Sequence, residues 1–141
     1  MGTRRKGREI ALQVLYQIDI TGVSRDAALQ EFKNHFKVKK ESWSFAEALI
    51  KGICEHMKTI DALIEGESEH WKLGRMSLTD RNILRLAAYE LLHMEGIPSK
   101  VTINEAIELG KLYGTEESGA FINGILDKVF KSRNPGEKKT G

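Results

Sequence analysis

The chain has 141 residues, 40% hydrophobic and 30% charged, with a formal net charge of +2. Such a chain is one soluble globular domain, too apolar for disorder and long enough to hold a core without staples. Its single cysteine, Cys54, excludes a disulfide framework and a thiolate zinc cluster and fits a reducing cytoplasm.

Apolar residues recur with helical rather than alternating spacing. The first helix is expected over about residues 5–20, with Ile10, Ala11, Val14, Leu15 and Ile18 on one broad face. Gln13, Gln17 and Asp19 interrupt it, so the basic start is not a signal peptide. No apolar run approaches the roughly 20 residues of a membrane helix. Met1-Gly2 opens like a myristoylation signal, but Lys6 stands where Ser or Thr is required. A second helix, about residues 25–36, groups Ala28, Leu29, Phe32 and Phe36. A third begins near Ser44, whose capping-box partner is Glu47, and continues through Leu49, Ile50, Ile53, Met57 and Ile60. Residues 65–77 are polar and carry Gly66 and Gly74. They read as a short helix and a connection, dividing an N-terminal subdomain (about 1–75) from a C-terminal one (about 76–134).

In the second half, Ser77 or Thr79 caps a helix over about residues 80–94, with Ile83, Leu84, Ala87, Ala88 and Leu91 inward. Gly96 and Pro98 stop it. Thr102 and Glu105 form a capping box opening a helix that ends near Gly114. Thr115 or Glu116 starts the last helix, with Phe121, Ile122, Ile125, Leu126 and Val129 inward. Residues 135–141 read as a flexible tail. The expectation is an all-α fold of six to seven helices.

The net charge conceals a distribution. Residues 1–8 carry +4 through Arg4, Arg5, Lys6 and Arg8; residues 128–141 also carry +4, and 9–127 carry −6. Clustered cations neutralise phosphates and release counterions, though a basic terminus also serves solubility alone. At 100° per residue, Arg5, Leu12 and Tyr16 fall within about 40° of one another, away from the Ile10/Val14/Ile18 stripe. A tyrosine there is either a base-stacking surface or the edge of a helix contact. Ser118 and the first-turn amides of the last helix offer an anion site, which Glu116 and Glu117 weaken. Phe121 is either core or stacking surface. Asp80, Arg81, Leu84 and Arg85 mix charge with apolar surface, as interfaces and ordinary helix faces both do.

Two Glu-x-x-His spacings, Glu67/His70 and Glu90/His93, raise the metal question. A di-iron bundle needs further inward glutamates, whereas Glu105 and Glu108 read as surface and Glu108 is set to pair with Lys111. No metal site is expected. Cys54 and His56 are too close for an activated pair, Cys54 reads as a buried structural thiol, and no phosphate loop or nucleophile elbow occurs. No catalytic residue or cofactor is expected.

Residues 8–16 (REIALQVLY) resemble the first helix of the NusB transcription antitermination family, and residues 80–91 (DRNILRLAAYEL) resemble its central helix. Pro98 with residues 101–109 (VTINEAIEL), and residues 121–128 (FINGILDK), also match its pattern. The resemblance covers essentially the whole chain; residues 21–75 match in helical pattern and length only. It implies two small packed helical bundles and a bacterial, cytoplasmic, non-enzymatic factor. That factor would pair with the ribosomal protein NusE, bind single-stranded boxA RNA and join an RNA polymerase antitermination complex, chiefly on ribosomal RNA operons. It implies RNA contacts at Arg4, Arg5, Lys6, Arg8, Gln13 and Tyr16, another wall at Ser118 and Phe121, and a NusE contact at Asp80, Arg81, Leu84 and Arg85. Self-association within the family leaves a homodimer open. Gly7 departs from the family's helix former, which costs about 1 kcal/mol and leaves Arg4–Lys6 open to disorder without RNA. Gly110 replaces the usual alanine, a departure that implies closer helix packing there. A NusB-like domain also occurs fused to RNA cytosine methyltransferases; with no cofactor domain before Gly141, binding without catalysis is expected.

Overall fold

Helical periodicity without strands becomes seven α-helices and one 3-10 turn among the residues described by the computed structural model, 2–69 and 72–133. His70 and the expected tail lie outside them. Contacts divide the chain into two units, Met1–His56 and Met57–Gly141.

The first unit contains α1 (Gly2–Thr21), α2 (Arg25–His35) and α3 (Lys40–Glu55). Its core is aliphatic: Ile10, Val14 and Leu15 from α1 meet Leu49, Ile50 and Ile53 of α3. Burying each such side chain stabilises by roughly 1.5–3 kcal/mol. Gly7 does not interrupt α1. A Cβ there would lie 2.7 Å from Phe45 Cδ2 and 3.1 Å from the Ser42 carbonyl oxygen, so the missing side chain lets α1 lie close on α3. Ser42 Oγ donates to the Thr3 carbonyl at 3.2 Å, tying the first turn of α1 to α3. At the other end Gly22, with φ of 72°, terminates α1. Ser24 Oγ then accepts from the Ala27 N–H at 3.1 Å and caps α2.

Three expectations change here. Helix α3 starts at Lys40 rather than Ser44, without a side-chain cap. It also stops at Glu55: His56 leaves helical geometry at φ −111° and ψ 18°, its N–H reaching the Gly52 and Ile53 carbonyls. No proline or glycine in residues 53–59 announces this break. Phe36, expected inward, is the exposed residue closing α2.

The second unit contains α4 (Met57–Glu67), a 3-10 turn (Leu73–Arg75), α5 (Leu78–His93), α6 (Ser99–Tyr113) and α7 (Ser118–Arg133). Helix α4 packs on α5 and α7 through the fully buried Ile60 and Ile64. The division therefore falls before α4, whereas the glycines at 66 and 74 suggested a boundary after it.

Helix α5 is the hub, packed against α4, α6 and α7, and buried on every side from Asn82 to Ala88. Ser77 caps it by accepting from the Asp80 N–H at 3.1 Å. Gly96, with φ of 85°, follows its end. Thr102 does not cap α6, which begins at Ser99 behind Pro98. Its buried hydroxyl donates instead to Glu90 Oε1 of α5 at 3.0 Å. A Cβ on Gly110 would lie 2.8 Å from Ile122 Cδ1, the close α6–α7 approach anticipated for that glycine. Helix α7 starts at Ser118 because residues 115–117 form a turn closed by the Ser118 N–H on the Thr115 carbonyl.

Candidate nucleic-acid interface

Since α1 buries the side of the helix centred on Ala11 and Leu15, its opposite side is left to solvent. Arg5, Tyr16, Gln13 and Lys6 fall in that order within about 100° of arc. Lys6, Gln13 and Tyr16 are exposed and Arg5 is half-buried. Tyr16 keeps 41% of its surface open, so it is not sealed in a helix contact. Leu12, expected beside it, is buried and marks the edge of the core. The exposed Arg4 places its guanidinium 5.9 Å from the Phe45 ring centroid.

Arg8 does not join this face. It is only 3% exposed, with its guanidinium 5.4 Å over Phe45. Its place on the helix, about 60° from Arg5 on the core side, explains why. Spacing within a basic run says nothing about which cation the neighbouring helix covers. The same arithmetic adds Gln17 and Ile20, both exposed on the open arc, and the half-buried acid Glu9.

The second unit alters more of the expected set. Ser118 is 1% exposed and its Oγ accepts the Thr115 N–H at 2.8 Å, so it is no open anion site. Phe121 is half-buried and lines a groove of about 340 Å³ with Arg75, Met76, Ser77, Asp80 and Glu117. Leu84 is fully buried. Arg85 retains 6% of its surface and is claimed by Asp61 of α4: Nε to Oδ1 at 2.8 Å and Nη2 to Oδ2 at 2.9 Å. Its Nη1 donates to Asn82 Oδ1 at 3.0 Å. A two-pronged pair of this kind holds α4 on α5 and leaves no guanidinium for a partner. Asp80 and Arg81 stay partly exposed at the start of α5, and Asp80 Oδ1 is buried without a hydrogen-bond partner.

Among the described residues no group of three or more His, Cys, Asp or Glu could hold a metal ion. Glu90 is buried against Thr102, while His93 is exposed with its ring 5.0 Å from Tyr89. Glu67/His70 falls partly outside the described residues. Cys54 is half-buried rather than fully buried. Lys111 Nζ lies 3.4 Å from Glu108, the pairing expected of that helix face. No described helix is long and apolar enough to cross a membrane.

Residues 5–131 match the model of the NusB family. A transcription antitermination protein NusB of Desulfitobacterium hafniense is 52% identical over 139 residues, covering 97% of this chain and 94% of its own length. The protein of that name from an Anaeromyxobacter species is 51% identical over 138 residues, covering 97% and 96%. Of solved structures, T. maritima NusB superposes with a TM-score of 0.83 at 42% identity, covering 91% of this chain and 90% of its own. A chain from a complex of antitermination factors NusB and NusE with double-stranded RNA superposes with a TM-score of 0.85 at 27% identity, covering 94% and 98%.

Proposed function

The chain belongs to the NusB family, and we propose that it is a transcription antitermination factor working without catalysis in the bacterial cytoplasm. It binds the boxA element of nascent ribosomal RNA together with NusE, within an RNA polymerase antitermination complex. The observation that carries this reading is the open face of α1, where Arg5, Lys6, Gln13 and the exposed ring of Tyr16 share one strip. Cations there hold phosphates, the amide of Gln13 reads base edges, and Tyr16 stacks an unpaired base. Arg4 extends the cationic end.

In the second unit, Phe121 offers a further stacking surface at its groove. The NusE contact is narrowed to the start of α5, at Asp80 and Arg81, since Leu84 and Arg85 are buried. Asp80 and Arg81 keep part of their surface open there, and the Asp80 carboxylate complements the charge of a basic ribosomal partner.

A titration of labelled boxA RNA against a shuffled control, with and without NusE, tests the reading. Arg5→Ala/Tyr16→Ala is expected to weaken boxA binding while helix content stays unchanged. Equal affinity of the wild-type protein for boxA and shuffled RNA, with NusE present, overturns the sequence-specific claim.

A further inference from the structure

Residues 32–40 read Phe-Lys-Asn-His-Phe-Lys-Val-Lys-Lys, four cations and no acid inside the acidic body of the chain. In the structure they close α2, cross to α3 and form its start. Phe36 is 51% exposed and its ring stacks on Phe32 at 4.5 Å, which in turn stacks on Trp43 at 6.0 Å. This ladder of three rings ends in solvent. Lys37, Lys39 and Lys40 follow directly; all are exposed and none enters an ion pair among the described residues. Lys39 and Lys40 also sit at the uncapped N-terminus of α3, where the helix dipole favours anions, with Glu41 the one acid of that turn. Beside Phe36 lies a pocket of about 200 Å³ between α1 and α2. Phe32 and Phe36 give it apolar walls, and Gln13, Gln17, Glu31 and His35 give it polar edges. Gln13 and Gln17 belong equally to the open face of α1, so the pocket continues that face within the same unit.

We infer that the end of α2 and its connection to α3 are a second strip of single-stranded RNA contact: one unpaired base stacks on Phe36 in the α1–α2 pocket, and the flanking phosphates lie on Lys37, Lys39 and Lys40. An exposed ring ending a stack is completed by another flat π face, and every base has one. At about 200 Å³ the pocket has room for one base ring, and Gln13, Gln17, Glu31 and His35 supply donors and acceptors at its edge. The Glu31 carboxylate, 3.5 Å from His35 Nδ1, accepts from a base carrying an exocyclic amine. Unpaired lysines provide the charge complementarity that a polyanion requires and an acidic body otherwise lacks. The inference rests on the proposed RNA-binding function and lengthens its track beyond the α1 face.

The test measures anisotropy of a labelled boxA-containing RNA over a range of salt concentrations. It compares wild-type protein, Phe36→Ala, Lys37→Gln/Lys39→Gln/Lys40→Gln, and Arg5→Ala/Tyr16→Ala as the control for the first strip. The triple variant is expected to flatten the slope of log affinity against log salt by about 2, since each single-strand phosphate contact contributes about 0.7. Phe36→Ala is expected to weaken binding roughly tenfold, one stacked base's worth, with helix content unchanged. Wild-type affinity and slope in both variants, alongside a loss in the Arg5/Tyr16 control, would overturn the second strip and leave the proposed function standing. Unchanged RNA affinity with weakened NusE binding would assign the patch to protein and overturn it equally. Failure of the wild-type protein to prefer boxA over shuffled RNA would overturn the function itself.

Discussion

Asp61 and Arg85 provide the sharpest energetic test, because sequence reasoning placed Arg85 on a partner surface and the structure places it inside. Asp61→Ala removes the acceptor of two charge-assisted hydrogen bonds, at 2.8 and 2.9 Å, and leaves a guanidinium with 7% side-chain exposure beside α4. Breaking a buried pair by deleting one partner costs about 3–5 kcal/mol. The Asp61 side chain is 23% exposed, so water reaches the vacated position and the bond to Asn82 persists. These put the expected loss at the low end, about 3 kcal/mol. For a chain of this size each kcal/mol moves the melting midpoint by roughly 3–4 °C, giving a fall of about 10 °C. Circular dichroism melts measure it. The double variant Asp61→Leu/Arg85→Met replaces the pair by apolar groups and is expected to recover most of that loss. An Asp61→Ala midpoint within about 2 °C of wild type, a change below 1 kcal/mol, would refute the claim that this pair secures α4 on α5. Loss of NusE binding in Arg85→Met at an unchanged midpoint would return Arg85 to the partner surface.

Three further outcomes follow from local geometry. Gly7→Ala gains about 1 kcal/mol of helix propensity but forces a Cβ against Phe45 and the fixed Ser42 carbonyl, so a net destabilisation of about 1–2 kcal/mol is expected in denaturant melts. Gly110→Ala is expected to be neutral or stabilising by up to about 1 kcal/mol, because its nearest obstacle is the movable end of Ile122. Thr102→Val removes a donor to the buried Glu90 carboxylate, and a loss of about 1–3 kcal/mol is expected by the same measurement.

The fold was largely legible because its signals are local. Apolar spacing located the helices, Ser77 capped α5, and Gly96 followed its end. Where reading failed, a tertiary contact had overridden a local one. Thr102 and Glu105 have capping-box spacing, yet Pro98 already starts α6, which frees the Thr102 hydroxyl to cross to Glu90. Ser44 and Glu47 have the same spacing, yet α3 begins earlier, where Ser42 reaches the Thr3 carbonyl. The break at His56 has no composition cue at all. Its cause is long-range, since Ile60 and Ile64 pack with α5 and α7 rather than extending the apolar face of α3.

The candidate site was legible only to the extent that one helix decides it. Helical angles on α1 sufficed to set Arg5 and Tyr16 on an open strip, but they set Leu12 beside them, which the core covers, and Gln13 came only from the family resemblance. They did not suffice for Arg8, which Phe45 of α3 covers, nor for Leu84 and Arg85, because α5 is buried from every direction between Asn82 and Ala88 and is open only towards its two ends. An amphipathic rule assumes one wet face, and a hub helix has none. Charge averaging failed in the same way. A value of −6 for residues 9–127 describes no actual surface, since it contains a stretch at 32–40 carrying +4. Those lysines stay exposed and the acids elsewhere are partly consumed, as Asp61 is by Arg85 and Glu69 by Lys128. The potential that a phosphate meets on the first unit is therefore set by which charges remain unpaired, not by the sum over the chain.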